Sequence, residues 1–76
     1  MYKISDDEKY WLQTAFTYHP PKPDQVPRYN AIRDYAGAFA AVILERCPPS
    51  RERALALTAL EESVMWGNAS IARNEA

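Results

Sequence analysis

A chain of 76 residues with nine Lys/Arg against ten Asp/Glu has a net charge of −1 and the length of one small domain. Proteins that coat duplex DNA or RNA need a basic stripe facing the phosphates, and none is present, so duplex nucleic acid is not an expected partner. No apolar run approaches membrane-spanning length, and the polar N-terminus does not resemble a signal peptide, so no membrane partner is expected either. The single Cys47 excludes an intramolecular disulfide and fits a reducing cytosol.

The first predicted element is a short helix running from about Asp6 to Phe16. Ser5 and Glu8 have the spacing of a capping box, in which each side chain bonds the other residue's backbone N–H. Residues 16–25 hold three prolines, and proline fixes φ and donates no backbone hydrogen bond. This segment therefore ends the helix and forms a stiff loop.

Two long helices are predicted after the loop. Asp24 is the expected N-cap of the second helix, which tolerates Pro27 in its first turn and runs to about Arg46, where a cysteine and two prolines stop it. Ser50 is the expected N-cap of a third helix that runs to about Asn74. No alternating strand pattern appears. The predicted fold is all-α, one domain in which the short N-terminal helix lies against a long antiparallel helical hairpin.

Both long helices are apolar on two faces, and a helix apolar on two faces is buried on two faces. The predicted hairpin faces comprise Ile32, Ala36, Phe39 and Ile43 on the second helix and Leu57, Leu60, Val64 and Ile71 on the third. The opposite faces carry Gly37, Ala41 and Leu44 beside Arg33, and Leu55, Ala59 and Trp66. A small domain without disulfide or metal has a marginal core. We therefore expect a homo-oligomer in which the second faces meet other subunits.

The proline-rich loop is the first candidate binding surface, because a stiff loop loses little ordering entropy when it binds. It presents Tyr18, His19 and Lys22. Tyr18 suits stacking on a purine, a contact worth about 1–3 kcal/mol per base, and it equally suits packing on the neighbouring proline rings. The alternative for the whole loop is a simple connector between two helices.

Two further candidates lie on the long helices. Arg33 has the planar guanidinium that recognises phosphate with two hydrogen bonds, although a surface ion pair with a neighbour such as Asp34 is the alternative. In the third helix Ser70, Arg73 and Asn74 are spaced i, i+3 and i+4 and share one side. A solvated last turn, with its cation facing the helix dipole, is the alternative there.

The sequence does not predict an enzyme. His19 and Cys47 are single and separated by a whole helix, so a Cys–His pair is not expected. Glu61 and Glu62 are adjacent on a helix and point in different directions, so they form no carboxylate pair. Neither a glycine-rich phosphate loop nor metal-ligand spacing occurs. We expect no catalytic residue, no cofactor and no metal.

Two parts of the chain resemble the phage anti-CBASS protein 2 family, which comprises small cyclic-oligonucleotide sponges that blunt bacterial antiphage signalling. They are the loop Tyr18-His-Pro-Pro with Gln25-Val-Pro-Arg-Tyr-Asn-Ala-Ile-Arg33, and the tail Leu60-Glu-Glu-Ser-Val-Met-Trp-Gly-Asn-Ala-Ser-Ile-Ala-Arg-Asn-Glu75. The resemblance implies a helical homohexamer in the cytoplasm of the infected bacterial host. It also implies that cyclic dinucleotides, such as 3′,3′-cyclic GMP–AMP, and cyclic trinucleotides are sequestered without being degraded.

The resemblance also implies roles for individual residues. Tyr18 matches the tyrosine that stacks on the bases of a cyclic dinucleotide, and Arg33 stands where the family's dinucleotide cation, expected as lysine, holds the phosphates. Arg73 matches the arginine of the trinucleotide pocket. His19 and Asn74, beside these residues, complete the predicted ligand-binding set. The alternative function is that of a helical-hairpin structural or protein-adaptor subunit without a small-molecule ligand.

Overall fold

A computed structural model describes all 76 residues and contains three α-helices and no strand. They are α1 (Asp6–Ala15), α2 (Val26–Arg46) and α3 (Arg51–Asn74). The predicted all-α fold with a long helical hairpin is confirmed, and the helix ends fall within two residues of the predicted ones. None of the three helices has the combination of length and apolar character that crossing a membrane requires.

The capping box of α1 is present as predicted. The Ser5 hydroxyl accepts from the Glu8 N–H at 3.2 Å, and the Ser5 N–H donates to Glu8 Oε1 at 2.9 Å. Hydrogen bonding of the Glu8 carboxylate to the Ser5 backbone N–H, and to a smaller extent to the Ser5 side chain, lowers the pKa of Glu8 below its usual value. The helix ends where the Phe16 N–H bonds the carbonyl of Leu12, at the start of the proline-rich loop.

The predicted cap of α2 by Asp24 is wrong. Gln25 occupies the N-cap position with helical φ and ψ of −82° and −29°, and no side chain there bonds the helix start. A capping side chain normally projects from a residue with extended backbone. Here the Gln25 N–H already bonds the Lys22 carbonyl at 2.9 Å, so the chain winds into a turn before the helix begins. The Asp24 carboxylate instead lies 4.0 Å from Nη1 of Arg28.

The predicted cap of α3 by Ser50 is confirmed, and the same turn joins the two long helices. The Ser50 hydroxyl accepts from the Arg53 N–H at 3.1 Å. The guanidinium of Arg53 donates to the carbonyls of Leu44 at 3.2 Å and Cys47 at 3.3 Å. Carbonyls at a helix C-terminus lack intrahelical partners, so Arg53 completes the end of α2 and closes the hairpin turn.

The hairpin is held by a single seam between α2 and α3. Ile71 is its one buried apolar residue, at 8% exposure. The other contacts are half-buried, and they come from Ile32, Ala36, Ala40 and Ile43 on α2 and from Leu57, Leu60, Val64 and Gly67 on α3. A Cβ added at Gly67 would lie 3.7 Å from Cδ1 of Ile32, so the glycine lies directly against that side chain.

One predicted member of the seam, Phe39, lies at its edge, where it lines a groove with Leu60 and Val64 of α3. Its side chain is 56% exposed, while the neighbouring Ala40 is half-buried between the helices. The seam follows the i, i+4 step from Ala36 to Ala40, which carries small side chains toward α3. The phenyl ring of Phe39 is therefore left on one flat side of the hairpin.

The prediction that α1 lies against the hairpin is also wrong. No residue of α1 is buried, and α2 with α3 is the principal helix pair in contact. His19 explains part of this arrangement, because its Nε2 lies 2.8 Å from the Thr14 carbonyl and bonds the last turn of α1 to the stiff loop. The loop therefore directs α1 away from the hairpin.

The outcome is a flat molecule of 50 × 37 × 13 Å. Its radius of gyration is 16.7 Å, whereas a compact domain of this length has one of about 11 Å. Its solvent-accessible surface is 6414 Å², about 1,700 Å² more than a compact monomer of the same mass exposes. Large apolar side chains, among them Trp11, Phe39, Met65 and Trp66, are more than half exposed. The single chain therefore leaves much of its apolar surface in water.

Candidate ligand-binding site

The start of α2 and the end of α3 lie side by side, which brings the proline-rich loop next to the C-terminal segment. Gln25 anchors this junction and is the most buried residue of the chain, at 3% exposure. Its Oε1 accepts from the Lys22 N–H at 2.9 Å, and its own N–H donates to the Lys22 carbonyl. The buried amide thereby fixes the last turn of the loop.

Glu75 crosses the junction from the other side. Its two carboxylate oxygens accept from Nη1 and Nη2 of Arg28, each at 2.7 Å, and Oε1 lies 3.4 Å from Nε2 of Gln25. The backbone carbonyl of Glu75 accepts from Nζ of Lys22 at 2.5 Å. We call this set, formed by Lys22, Gln25, Arg28 and Glu75, the Glu75 clamp. It joins the loop and the first turn of α2 to the tail, across 53 residues of sequence from Lys22 and 47 from Arg28.

Charge pairing in the clamp changes the acidity of both partners. The two hydrogen bonds from Arg28 lower the pKa of Glu75 from 4.5 to about 2, with smaller contributions from Gln25 and the charge of Lys22. In return, the Glu75 carboxylate raises the pKa of Arg28 above its usual value. The positive charge of Arg28 is therefore already balanced by the Glu75 carboxylate, and Glu75 is charged at every physiological pH.

The two predicted aromatic loop residues have different surroundings. Tyr18 is 81% exposed, so its ring is open for stacking and is not packed on the neighbouring prolines. His19 is half-buried, and its ring is committed to the bond with the Thr14 carbonyl. Since a carbonyl only accepts, Nε2 carries the proton. The structure therefore presents Tyr18 to solvent and gives His19 a structural partner.

Arg33 lies on the rim of a groove of about 590 Å³ between α2 and α3. The groove is mostly apolar, and its lining includes Ala36, Ala40, Leu57, Leu60, Val64 and Met65. The guanidinium bonds Oδ1 of Asn30 and takes part in neither ion pair of the protein, so the expected alternative of pairing with Asp34 does not occur. Its positive charge therefore has no carboxylate partner.

The predicted cluster of Ser70, Arg73 and Asn74 in the last turns of α3 does not form one group, because its side chains have different partners. Nδ2 of Asn74 donates to the Ser70 carbonyl at 2.8 Å, which completes the end of the helix. Arg73 turns instead to Trp66, and its guanidinium carbon lies 5.8 Å from the ring centroid, within cation–π range. Trp66 is held in turn by its Nε1, which donates to Oε1 of Glu62 at 3.2 Å. Arg73 is thus half-buried but faces outward from α3.

Tyr18 and Arg33 do not form one pocket within a single chain. Tyr18 is in the loop and does not line the groove beside Arg33, which begins about two turns into α2. Arg73 lies on the other long helix, beside the tail. The loop and the tail meet through the clamp, so Tyr18 and Arg73 belong to segments joined by contact, whereas Arg33 is separate from both.

Sequence reasoning missed three of the four clamp residues. Lys22 was recognised as a loop cation, but Gln25, Arg28 and Glu75 were not identified, because no local spacing connects them. One signal was available. In an antiparallel hairpin of two long helices the first turn of one lies beside the last turn of the other, and Arg28 and Glu75 have opposite charges at those two positions.

The low pKa of Glu75 predicts how stability depends on pH. The carboxylate titrates near pH 4.5 when unfolded and near pH 2 when folded, so the clamp stabilises the protein fully above about pH 5 and its contribution is lost as pH falls toward 2. Urea midpoints measured at fixed protein concentration should therefore fall more steeply from pH 5 to pH 2.5 in the wild type than in Glu75→Gln. Glu8 contributes equally to both proteins, and parallel curves would contradict the prediction.

Comparison with known proteins places the chain in a family. The hairpin-domain model of the Acb2/Tad1 family matches residues 12–72. No curated protein and no solved structure matches the chain. The matched residues include Tyr18, Arg33 and nearly the whole hairpin, and they end just before Arg73. The match confirms the resemblance predicted from the loop and the tail, and since it covers well over half of the sequence, the protein belongs to the Acb2/Tad1 hairpin family.

Proposed function

We propose that this protein is a non-enzymatic phage sponge that binds bacterial cyclic di- and trinucleotides in the host cytoplasm and antagonises CBASS-type antiphage immunity. The family match carries this proposal, together with the two side chains that it covers and that remain available in the chain. Tyr18 is 81% exposed, and the Arg33 guanidinium has no carboxylate partner. An aromatic ring and an unpaired cation are the groups that bases and phosphates need.

Assembly of several copies is part of the proposal. The surplus surface of about 1,700 Å² is roughly twice what one partner contributes to a standard interface. Exposed apolar side chains such as Phe39 and Met65 lie on the flat sides of the hairpin, where other subunits would cover them. We propose a homohexamer, because an assembly with two-fold and three-fold axes offers matching pockets to a nearly two-fold cyclic dinucleotide and a nearly three-fold trinucleotide.

Because Tyr18 and Arg33 are separate within one chain, we propose pockets that combine residues of different subunits. Within an oligomer, the loop of one copy can lie near the α2 groove of another, so each subunit supplies one aromatic ring and one cation to shared sites. Several such contributions would hold a polyanion although each chain has a net charge of −1.

The assembly is checked by size. Light scattering at micromolar concentration should give an oligomer, with six times the mass of the 8.7 kDa chain for a hexamer. The reason is that the seam between α2 and α3 leaves most apolar side chains exposed in the monomer. A stable monomer at micromolar concentration would contradict the proposed assembly.

The dinucleotide site is tested by two substitutions. Tyr18→Ala should weaken binding of 3′,3′-cyclic GMP–AMP about tenfold or more, since a stacked base contributes about 1–3 kcal/mol. Arg33→Ala should also weaken it through the phosphates, while Arg33→Lys should retain part of the affinity because the charge remains. Calorimetry measures both, with light scattering to show that the oligomer is intact.

Matched controls for these variants are available in the chain. Tyr10 is 68% exposed but lies outside the family match, and Arg46 is exposed at the far end of α2. Tyr10→Ala and Arg46→Ala should leave the affinity unchanged. Wild-type affinity in both the Tyr18 and the Arg33 variant would show that the site is elsewhere. A melting temperature that 3′,3′-cyclic GMP–AMP does not raise would favour a structural or adaptor subunit instead.

The trinucleotide site and the sponge mechanism are tested through Arg73. Arg73→Ala should reduce binding of cyclic tri-AMP while leaving the dinucleotide affinity nearly unchanged, because Arg73 and Arg33 lie on different helices. Bound nucleotide released by denaturing the wild-type protein should be recovered in its cyclic form, as mass spectrometry can show. Equal loss of both ligands would indicate one shared site, and recovery of linear nucleotide would indicate an enzyme.

A further inference from the structure

In the C-terminal segment, Ile71 is the last buried residue. Arg73 and Asn74 form the last turn of α3, beyond that anchor. Arg73 contacts Trp66, which is itself 60% exposed, and Asn74 is exposed. Beyond Ile71 and the Asn74 bond to the Ser70 carbonyl, the contacts that tie this segment to the rest of the protein are those of Glu75.

The proline-rich loop is in a similar position. Phe16 and Tyr18 are 72% and 81% exposed, and the Phe16 ring packs edge-to-face on Trp11 of α1 at 5.4 Å, so this apolar contact does not reach the hairpin. Its polar anchors are the His19 bond to α1 and the Gln25 bonds to Lys22. Of these two anchors, only the bonds between Gln25 and Lys22 lie next to α2 of the hairpin.

Glu75 is the residue in which these two segments meet. It bonds Arg28 through both carboxylate oxygens, reaches the buried Gln25, and accepts from Lys22 through its carbonyl. A solvent-exposed ion pair contributes little to overall stability as a rule. A pair with bidentate geometry across 47 residues does restrict how two segments sit relative to each other.

We propose that Glu75 is a positioning residue that holds the C-terminal segment with Arg73 against the loop with Tyr18, so that both candidate binding segments are ordered before a ligand arrives. The inference rests on the proposed function for its ligands and extends it to a residue that touches neither of them. Ordering a binding segment in advance increases affinity, because less conformational freedom is lost on binding.

The substitution that isolates the carboxylate is Glu75→Gln, which keeps the shape of the side chain and the carbonyl contact with Lys22. Its matched control is Glu45→Gln, which changes the net charge equally at an exposed residue that takes part in neither ion pair. A second variant, Arg28→Gln, removes the other side of the pair. If the two residues act as one unit, the double variant should behave like either single variant.

The first measurement needs no ligand. In a Trp11→Phe background Trp66 is the single tryptophan, and the Arg73 guanidinium covers its ring. Glu75→Gln should make Trp66 more accessible to acrylamide and should speed amide exchange in residues 72–76. Exchange at Leu57, Leu60 and Val64 in the seam should stay as in the wild type. Faster exchange throughout the hairpin would show a general stabiliser and overturn the proposal.

The second measurement is affinity. Glu75→Gln should weaken both 3′,3′-cyclic GMP–AMP and cyclic tri-AMP by about three- to tenfold, the effect of releasing one or two ordered side chains. Loss of both ligands separates this variant from Tyr18→Ala and Arg73→Ala, each of which should affect one. Unchanged affinities, or unchanged quenching and exchange, would overturn the inference. If the wild type binds neither nucleotide, the proposed function is wrong, while quenching and exchange still decide whether Glu75 orders the tail.

Discussion

A pair of antiparallel helices can bury only the stripe along which the two helices meet. In this chain that stripe buries one apolar residue, Ile71, and leaves side chains such as Phe39 and Trp66 more than half exposed. No third layer covers the flat sides, because the stiff loop and its His19 bond hold α1 away from the hairpin. The folded chain therefore presents large apolar side chains outward, as the proposed assembly requires.

The same limit explains why the ends of the hairpin are held by polar contacts. At the turn, Arg53 of α3 donates to the last carbonyls of α2. At the open end, the Glu75 carboxylate lies beside the first turn of α2 and bonds Arg28. A cation near a helix C-terminus and an anion near its N-terminus both complement the helix dipole. One helix therefore stabilises the other at both ends, where apolar packing has run out.

Whether an interaction could be predicted from the sequence depended on how many residues separate its two partners along the chain. The caps by Ser5 and Ser50 were predictable because each partner lies three residues away. The Asp24 cap failed because the turn at Gln25 moves the helix start by one residue. The position of Phe39 at the edge of the seam, like the Arg28–Glu75 bond, depends on how two helices cross and register, which no spacing within one helix specifies.

The candidate site shows the same difference between features set by nearby residues and features set by contacts between helices. Exposure of Tyr18 and Arg33 could be expected from residue type and helical face, but their separation within one chain could not. That separation makes local charge more important than net charge. Arg28 is paired with Glu75 and Arg73 contacts Trp66, whereas Arg33 bonds only a neutral amide, which is the feature that the proposed phosphate contact uses. A chain of net charge −1 can therefore serve a polyanion, provided that several copies bring such cations together around it.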